Sequence, residues 1–175
     1  MNVLIRQTEA AYIKQTLAPK FPDLTIHAAA REDEVGDFIE IADILMAKKI
    51  SDNLIKKASN LQWIQIMLSG VDKIVNLPSL KKDVLLTSAR GIHGPQMAEM
   101  TIFFMMLLIR DISRLIRQKG NRIWDRRPSK LLYLKKVGIL GLGIIGQAIA
   151  KKCKEFGMTV YGIDIARKEI DSVDK

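Results

Sequence analysis

Apolar residues recur along this chain in two rhythms: short compact runs, and stretches in which they return every three or four positions. Asn2–Arg6, Leu24–Ala28, Ile44–Ala47, Trp63–Met67 and Val84–Thr87 have the length and aliphatic content of buried strands. Glu9 to Ala18 reads as a helix stopped by Pro19, and Ser51 stands where an N-cap belongs, opening a helix to Ala58. Strands separated by helical spacers predict right-handed crossovers and a parallel sheet. The fold class is therefore α/β.

At Gly94-Pro95 the rhythm changes. Proline near the start of a helix opens an apolar stretch that predicts one long helix over 95–119. From Met100 to Ile109 it is apolar nearly all round, which predicts burial on several sides. Further on, Ile109, Ile112 and Ile116 share one face while Arg110, Arg114 and Arg117 point elsewhere. Such a helix suits a spine between two domains or a subunit interface, and a homo-oligomer joined through it is expected. Gly120-Asn121 ends it, and 120–135, with Trp124 and Pro128, reads as a connector.

Lys136-Val-Gly-Ile-Leu140 then reads as a strand leading directly into Gly141-Leu-Gly143-Ile144-Ile145-Gly146 and a helix to about Phe156. The apolar stripe of that helix is Ile145, Ile149, Cys153 and Phe156. Gly157 closes it, Thr159–Ile163 is the next strand, and Asp164 stands 18 positions beyond Gly146. Each part has a physical reason. Gly141 permits the tight turn, Gly143 lets backbone approach a pyrophosphate, and Gly146 lets helix and strand pack closely. The helix start offers N–H groups to the pyrophosphate, and Asp164 can accept hydrogen bonds from an adenosine ribose while repelling a 2′-phosphate. The cofactor indicated is NAD rather than NADP, although Arg167 three residues later brings a positive charge to the same region.

Composition narrows the class. Of 175 residues, 48% are hydrophobic and 27% charged, and the mean hydropathy of +0.07 suits a packed core rather than disorder. The longest apolar run, Ile102–Ile109, is too short to cross a bilayer, and the first twenty residues lack a signal-peptide pattern. One cysteine, Cys153, excludes an internal disulfide and a multi-cysteine zinc site. A cytoplasmic protein is expected. The net charge is +9, and residues 110–136 supply +8 of it with ten basic side chains against Asp111 and Asp125. A solvated face, or a contact that a partner's acids neutralise, accounts for this stripe. The alternative is a non-enzymatic binding or regulatory module that holds an anionic partner there, nucleic acid not being expected.

Four motifs together resemble the NAD-dependent D-isomer-specific 2-hydroxyacid dehydrogenases. Leu61–Gln65 with Ser69-Gly70-Val71-Asp72 is similar to the family's substrate loop, and Leu86–Gly91 to its crossing into the coenzyme domain. Met97–Glu99 and Gly141–Asp164 are similar to two further signatures. The resemblance implies a flavodoxin-like parallel-sheet substrate domain over 1–92 and the opening part of a Rossmann-type NAD-binding domain over 93–175. The first β-α-β unit of the latter spans 136–164. It further implies that Ser69, Gly70 and Val71 hold the carboxylate of a small 2-hydroxy or 2-keto acid. Ser88, Gly141, Gly143, Ile144, Ile145, Gly146 and Asp164 are implied to contact NAD.

Departures are also visible. Ile144 stands where many members carry Arg, and Met100 where His is common. The family's catalytic Arg, Glu and His lie in the second half of the coenzyme domain and have no counterpart here, so no catalytic residue is assigned. A dinucleotide sheet needs about six strands and two follow residue 135. The expectation is an N-terminal portion of a protein roughly twice as long, inactive alone. Of the two histidines, His93 lacks a nearby orienting carboxylate in sequence and His27 reads as a packed strand residue. Glu99, near a helix start, is explained by the helix dipole, and Cys153 by core packing.

Overall fold

The computed structural model describes residues 1–166 and 169–175. The chain divides into two compact units, Met1–Arg90 and Gly91–Lys175.

In the first unit, β1 (Asn2–Arg6), β2 (Thr25–Ala29), β3 (Ile44–Ala47), β4 (Trp63–Ile66) and β5 (Leu85–Ser88) form one parallel sheet in the order β2-β1-β3-β4-β5. Helix α1 (Ala10–Leu17) joins β1 to β2, and the short helices α2 (Phe38–Ile41), α3 (Asp52–Lys57) and α4 (Asp72–Val75) carry the remaining crossovers. Parallel neighbours demand such crossovers, and these cover both faces of the central strands. Successive residues of β1 accordingly enter different cores. Leu4 joins Leu45, Ile64 and Ile66 beneath α2 and α3, while Val3 and Ile5 join Ile26 and Ile44 beneath α1. Ser51 caps α3, its Oγ accepting the N–H of Leu54 at 3.1 Å.

In the second unit, α5 (Gly94–Ile109), α6 (Ile112–Gly120) and α7 (Ile144–Glu155) accompany a two-stranded parallel sheet of β6 (Lys136–Leu140) and β7 (Thr159–Ile163). Its core gathers Ile102 from α5, Ala150 and Cys153 from α7, Val160 from β7, and Leu132 and Met158. The chain's last residues seal part of the outer edge of β7. Val160 donates its N–H to the Asp174 carboxylate at 2.7 Å, and Gly162 donates to the Lys175 carbonyl at 2.8 Å. The hydrogen bond from Lys154, assisted by Val160 N–H, holds the Asp174 carboxyl below the usual carboxylate range.

Three expectations need correction. The long helix over 95–119 is two helices, because Asp111 adopts a left-handed conformation (φ 49°) and breaks the hydrogen-bond ladder after Arg110. Asp tolerates this region better than most residues, and the break lets Arg114 on α6 reach the Asp125 carboxylate. Nor is α5 buried on several sides. Gly94, Ala98 and Ile102 are buried, whereas Met100, Phe103, Phe104 and Leu108 stand exposed. Finally, Ile145 is exposed, and the buried stripe of α7 is Gly146, Ala150 and Cys153. The small residues face inward because the helix lies close to its strand. Burial pushes the Cys153 thiol up, which keeps it protonated.

Ile64 is fully buried at the centre of the first unit's larger core. Ile64→Ala is expected to destabilise that unit by about 3 kcal/mol, read as a lower urea midpoint by circular dichroism.

Candidate functional site

The site in the second unit is assembled from the turn between β6 and α7. Leu140 leaves the sheet, and Gly141 takes φ +89°, a conformation that L side chains rarely adopt. Its N–H donates to the Ile163 carbonyl at 2.7 Å, so the turn is anchored to β7. Three residues later the constraint is steric. A Cβ at Gly146 would lie 2.0 Å from the Gly141 carbonyl oxygen. Glycine at 146 is what allows α7 to start directly over the end of β6.

Gly143 differs in kind. Its backbone is extended (φ −68°, ψ −166°), and a Cβ there would meet no atom within 4 Å. Among the described residues the space in front of it is open, and none of their side chains caps the start of α7. Uncapped N–H groups at the start of a twelve-residue helix, beside a glycine that leaves room, form a place where an anion can approach. Ile144 and Ile145 are half-exposed at this helix start. Gly94 of α5 also approaches it, since a Cβ there would stand 3.4 Å from Ala148 Cβ.

Asp164 follows β7 directly. Its Oδ2 accepts the Leu142 N–H at 2.6 Å, and its Oδ1 accepts the Ala166 N–H at 2.8 Å. The carboxylate thus lies beside the glycine turn and helps to hold its shape. The turn, the helix start and the acid fit the adenosine and pyrophosphate portions of a dinucleotide. The positive charge expected from Arg167 lies outside the described residues.

The first unit carries the other predicted residues on the loops after β4 and β5. Ser69 and Gly70 are exposed, and Val71, which precedes α4, packs partly onto the core. Val71 accepts the N–H groups of Ile74 (2.7 Å) and Val75 (3.0 Å). Among the described residues, the N–H groups of Ser69, Gly70 and Val71 donate to no protein acceptor. Ser88 ends β5, and the Ala89 N–H after it donates to both Ile66 and Leu68, tying the two loops together. His93 precedes α5 without capping it through its side chain, and His27 stacks on Phe38 at 4.9 Å. No cluster of three metal-ligating side chains occurs among the described residues, and no helix among them is long and apolar enough to cross a membrane.

Sequence reading missed two elements of this arrangement. The Asp164–Leu142 contact joins residues far apart in sequence, and the Asp174 clamp on β7 lies beyond the motif. Only the position of Asp164 after the second strand hinted at the first.

Comparisons with known proteins converge. The NAD binding domain of the D-isomer specific 2-hydroxyacid dehydrogenases matches residues 102–175. D-3-phosphoglycerate dehydrogenase of Methanocaldococcus jannaschii is 30% identical over 147 residues, covering 81% of this chain and 28% of its own. Hydroxypyruvate reductase of Thermotoga maritima is 29% identical over 145 residues, 80% of this chain and 47% of its own. A D-isomer specific 2-hydroxyacid dehydrogenase family protein of Aeromonas salmonicida superposes with a TM-score of 0.89 at 32% identity, over 99% of this chain and 56% of its own. The chain thus spans between about a quarter and just over half the length of these relatives.

The steric argument at position 146 is directly testable. Gly146→Ala places a methyl against backbone that cannot yield cheaply, so the second unit is expected to lose about 2 kcal/mol or more. Differential scanning calorimetry of the variant reads this as a lowered transition. An unchanged thermogram means that helix and strand do not meet there.

Proposed function

We propose, for a chain that belongs to the D-isomer-specific 2-hydroxyacid dehydrogenases, that residues 93–175 bind NAD and residues 1–92 hold the substrate. The reaction served is reversible hydride transfer between NAD and a small D-2-hydroxy acid. The observation that carries this reading is the turn at Gly141–Gly146 with Asp164 beside it.

The roles follow from the chemistry of each group. Gly143 and the first N–H groups of α7 receive the pyrophosphate, with Ile144 and Ile145 flanking it. Asp164 accepts the ribose hydroxyls, Gly141 and Gly146 shape the turn, and Ser88 supplies a further contact. In the first unit, Ser69, Gly70 and Val71 offer their N–H groups to the substrate carboxylate. NAD supplies the hydride acceptor when bound. The chain's own residues bind and orient, and none of them is assigned proton transfer. Neither histidine is paired with a carboxylate among the described residues, and such assistance is typically worth about 10²–10⁴ in rate.

Calorimetric titration tests the cofactor reading. NAD and ADP-ribose are expected to bind with similar affinity, because the assigned contacts lie on the portion they share. Asp164→Ala is expected to weaken both by about tenfold or more, the value of a hydrogen bond to a charged group. Tighter binding of NADP than NAD overturns the role of Asp164. In the same preparation, no NADH oxidation at 340 nm is expected with pyruvate, glyoxylate, hydroxypyruvate or phenylpyruvate. Turnover that vanishes in His93→Ala would make His93 the proton donor.

A second copy of the chain is the proposed partner of α5. Met100, Phe103 and Phe104 form an exposed apolar face, with the two rings 5.6 Å apart. Light scattering is expected to give a dimer or larger, and Phe103→Glu/Phe104→Glu to shift it toward the 19.7 kDa monomer. A wild-type chain that stays monomeric at high concentration rules this partner out.

A further inference from the structure

Between Gly141 and Gly146 the only buried side chain is that of Leu142, at 5% exposure. Gly141 and Gly143 on either side have none to offer, and Ile144 and Ile145 stand exposed. The Leu142 backbone is held at both ends. Its N–H donates to Asp164 at 2.6 Å, and its carbonyl accepts from the Gln147 side chain at 2.7 Å. A residue flanked by two glycines sits in a stretch of wide conformational freedom. The burial of this one side chain therefore restricts where the N–H groups of the turn point.

What buries Leu142 lies partly outside the motif. A Cβ at Gly162 of β7 would stand 2.6 Å from Leu142 Cδ1 and 3.0 Å from Val173 Cγ1. Both side chains thus reach over the same Cα, and glycine at 162 leaves room for the pair. Val173 belongs to the segment that closes the edge of β7. The Asp174 N–H donates to the Val160 carbonyl at 2.8 Å, and its carboxylate accepts the Val160 N–H and, at 2.7 Å, Lys154 Nζ. Lys154 lies on α7, so Asp174 ties the segment to both the strand and the helix of this unit. The docking is not sealed. A cavity of about 340 Å³, lined by Leu142, Gly162, Ile170 and Val173 among others, leaves the segment room to lift.

We propose that Val173 is a positioning residue for NAD. Docked on β7 by Asp174, it holds Leu142 against Gly162 and so fixes the turn whose N–H groups receive the pyrophosphate. This inference rests on the dinucleotide reading of that turn. Coupling of this kind is reciprocal: a docked segment that favours NAD is itself favoured by NAD, by the same factor.

Two measurements test it. In isothermal titration, Val173→Ala is expected to bind ADP-ribose about fivefold more weakly or worse. Val173→Ile, for which the cavity has room, is expected to keep the affinity of the unaltered chain. The second measurement needs no variant. The N–H groups of Val160 and Gly162 donate to the Asp174 carboxylate and the Lys175 carbonyl, so they exchange with solvent when the segment lifts. Saturating ADP-ribose is expected to slow their exchange about fivefold or more, read by nuclear magnetic resonance. A segment that only fills the core gives no such response to ligand. Exchange at Val160 and Gly162 that ignores bound ADP-ribose overturns the proposal, as does equal affinity of Val173→Ala and the unaltered chain. If the unaltered chain binds no ADP-ribose, the dinucleotide reading itself fails and this inference falls with it.

Discussion

Every strand pair among the described residues is parallel, and the placement of the candidate site residues depends on that constraint. A parallel strand cannot be reached by a tight hairpin, so the chain must leave each strand and return over one face of the sheet. Within each sheet the carboxyl ends therefore emerge at the same edge. In the first unit that edge gathers the loops after β1, β3 and β4, among them Ser69–Val71. In the second it gathers Gly141–Gly143 after β6 and Asp164 after β7. Within each unit the topology delivers these groups to one edge of its own sheet, which is why open α/β sheets bind ligands there.

The glycine turn shows local preference yielding to packing. Glycine inside a helix costs about 1 kcal/mol relative to alanine, and Gly146 lies in the first turn of α7. Alanine is nevertheless excluded, because its methyl would overlap the Gly141 carbonyl. The cost is offset by direct contact of α7 with the end of β6, which brings its N–H groups over the site. Asp164 adds a polar clamp by taking up the Leu142 N–H. A rigid turn with its acid already beside it loses little further entropy on receiving a ligand.

The elements legible in sequence are those whose signal is local. The five strands of the first unit lie within a residue of the limits that their apolar runs suggest, and Ser51 caps α3 through its own side chain. The β6-turn-α7-β7 unit was equally legible, because each glycine answers a constraint within a few residues. The break at Asp111 was not. Nothing in Ile109-Arg-Asp-Ile112 is a helix breaker, and the bend is tied to an ion pair with Asp125, fourteen positions away. Apolar residues all round α5 signalled burial, but a chain records only that a face is greasy, never whether its own core covers it. Ile145 was misassigned for a related reason. An apolar stripe marks the inward face by residue size, whereas the closest approach of α7 needs the smallest residues there.

The two units differ in how much holds them. Beneath and above the five-stranded sheet lie two apolar cores, one on each face. The second unit has one core and two strands, and a two-stranded sheet is at best marginal on its own. Its surface ion pairs add little, about 0–1 kcal/mol each. What remains is the packing of α5 on α7 around Ala98, Ile102, Ala150 and Cys153, and the tail that seals β7 through Asp174. Elements that bind ligands tend to lie at the less stable end of a structure, where small free energies change populations. The glycine turn is in this unit. An occupant of that turn adds directly to the stability of the folded form, by an amount set by its concentration relative to its affinity.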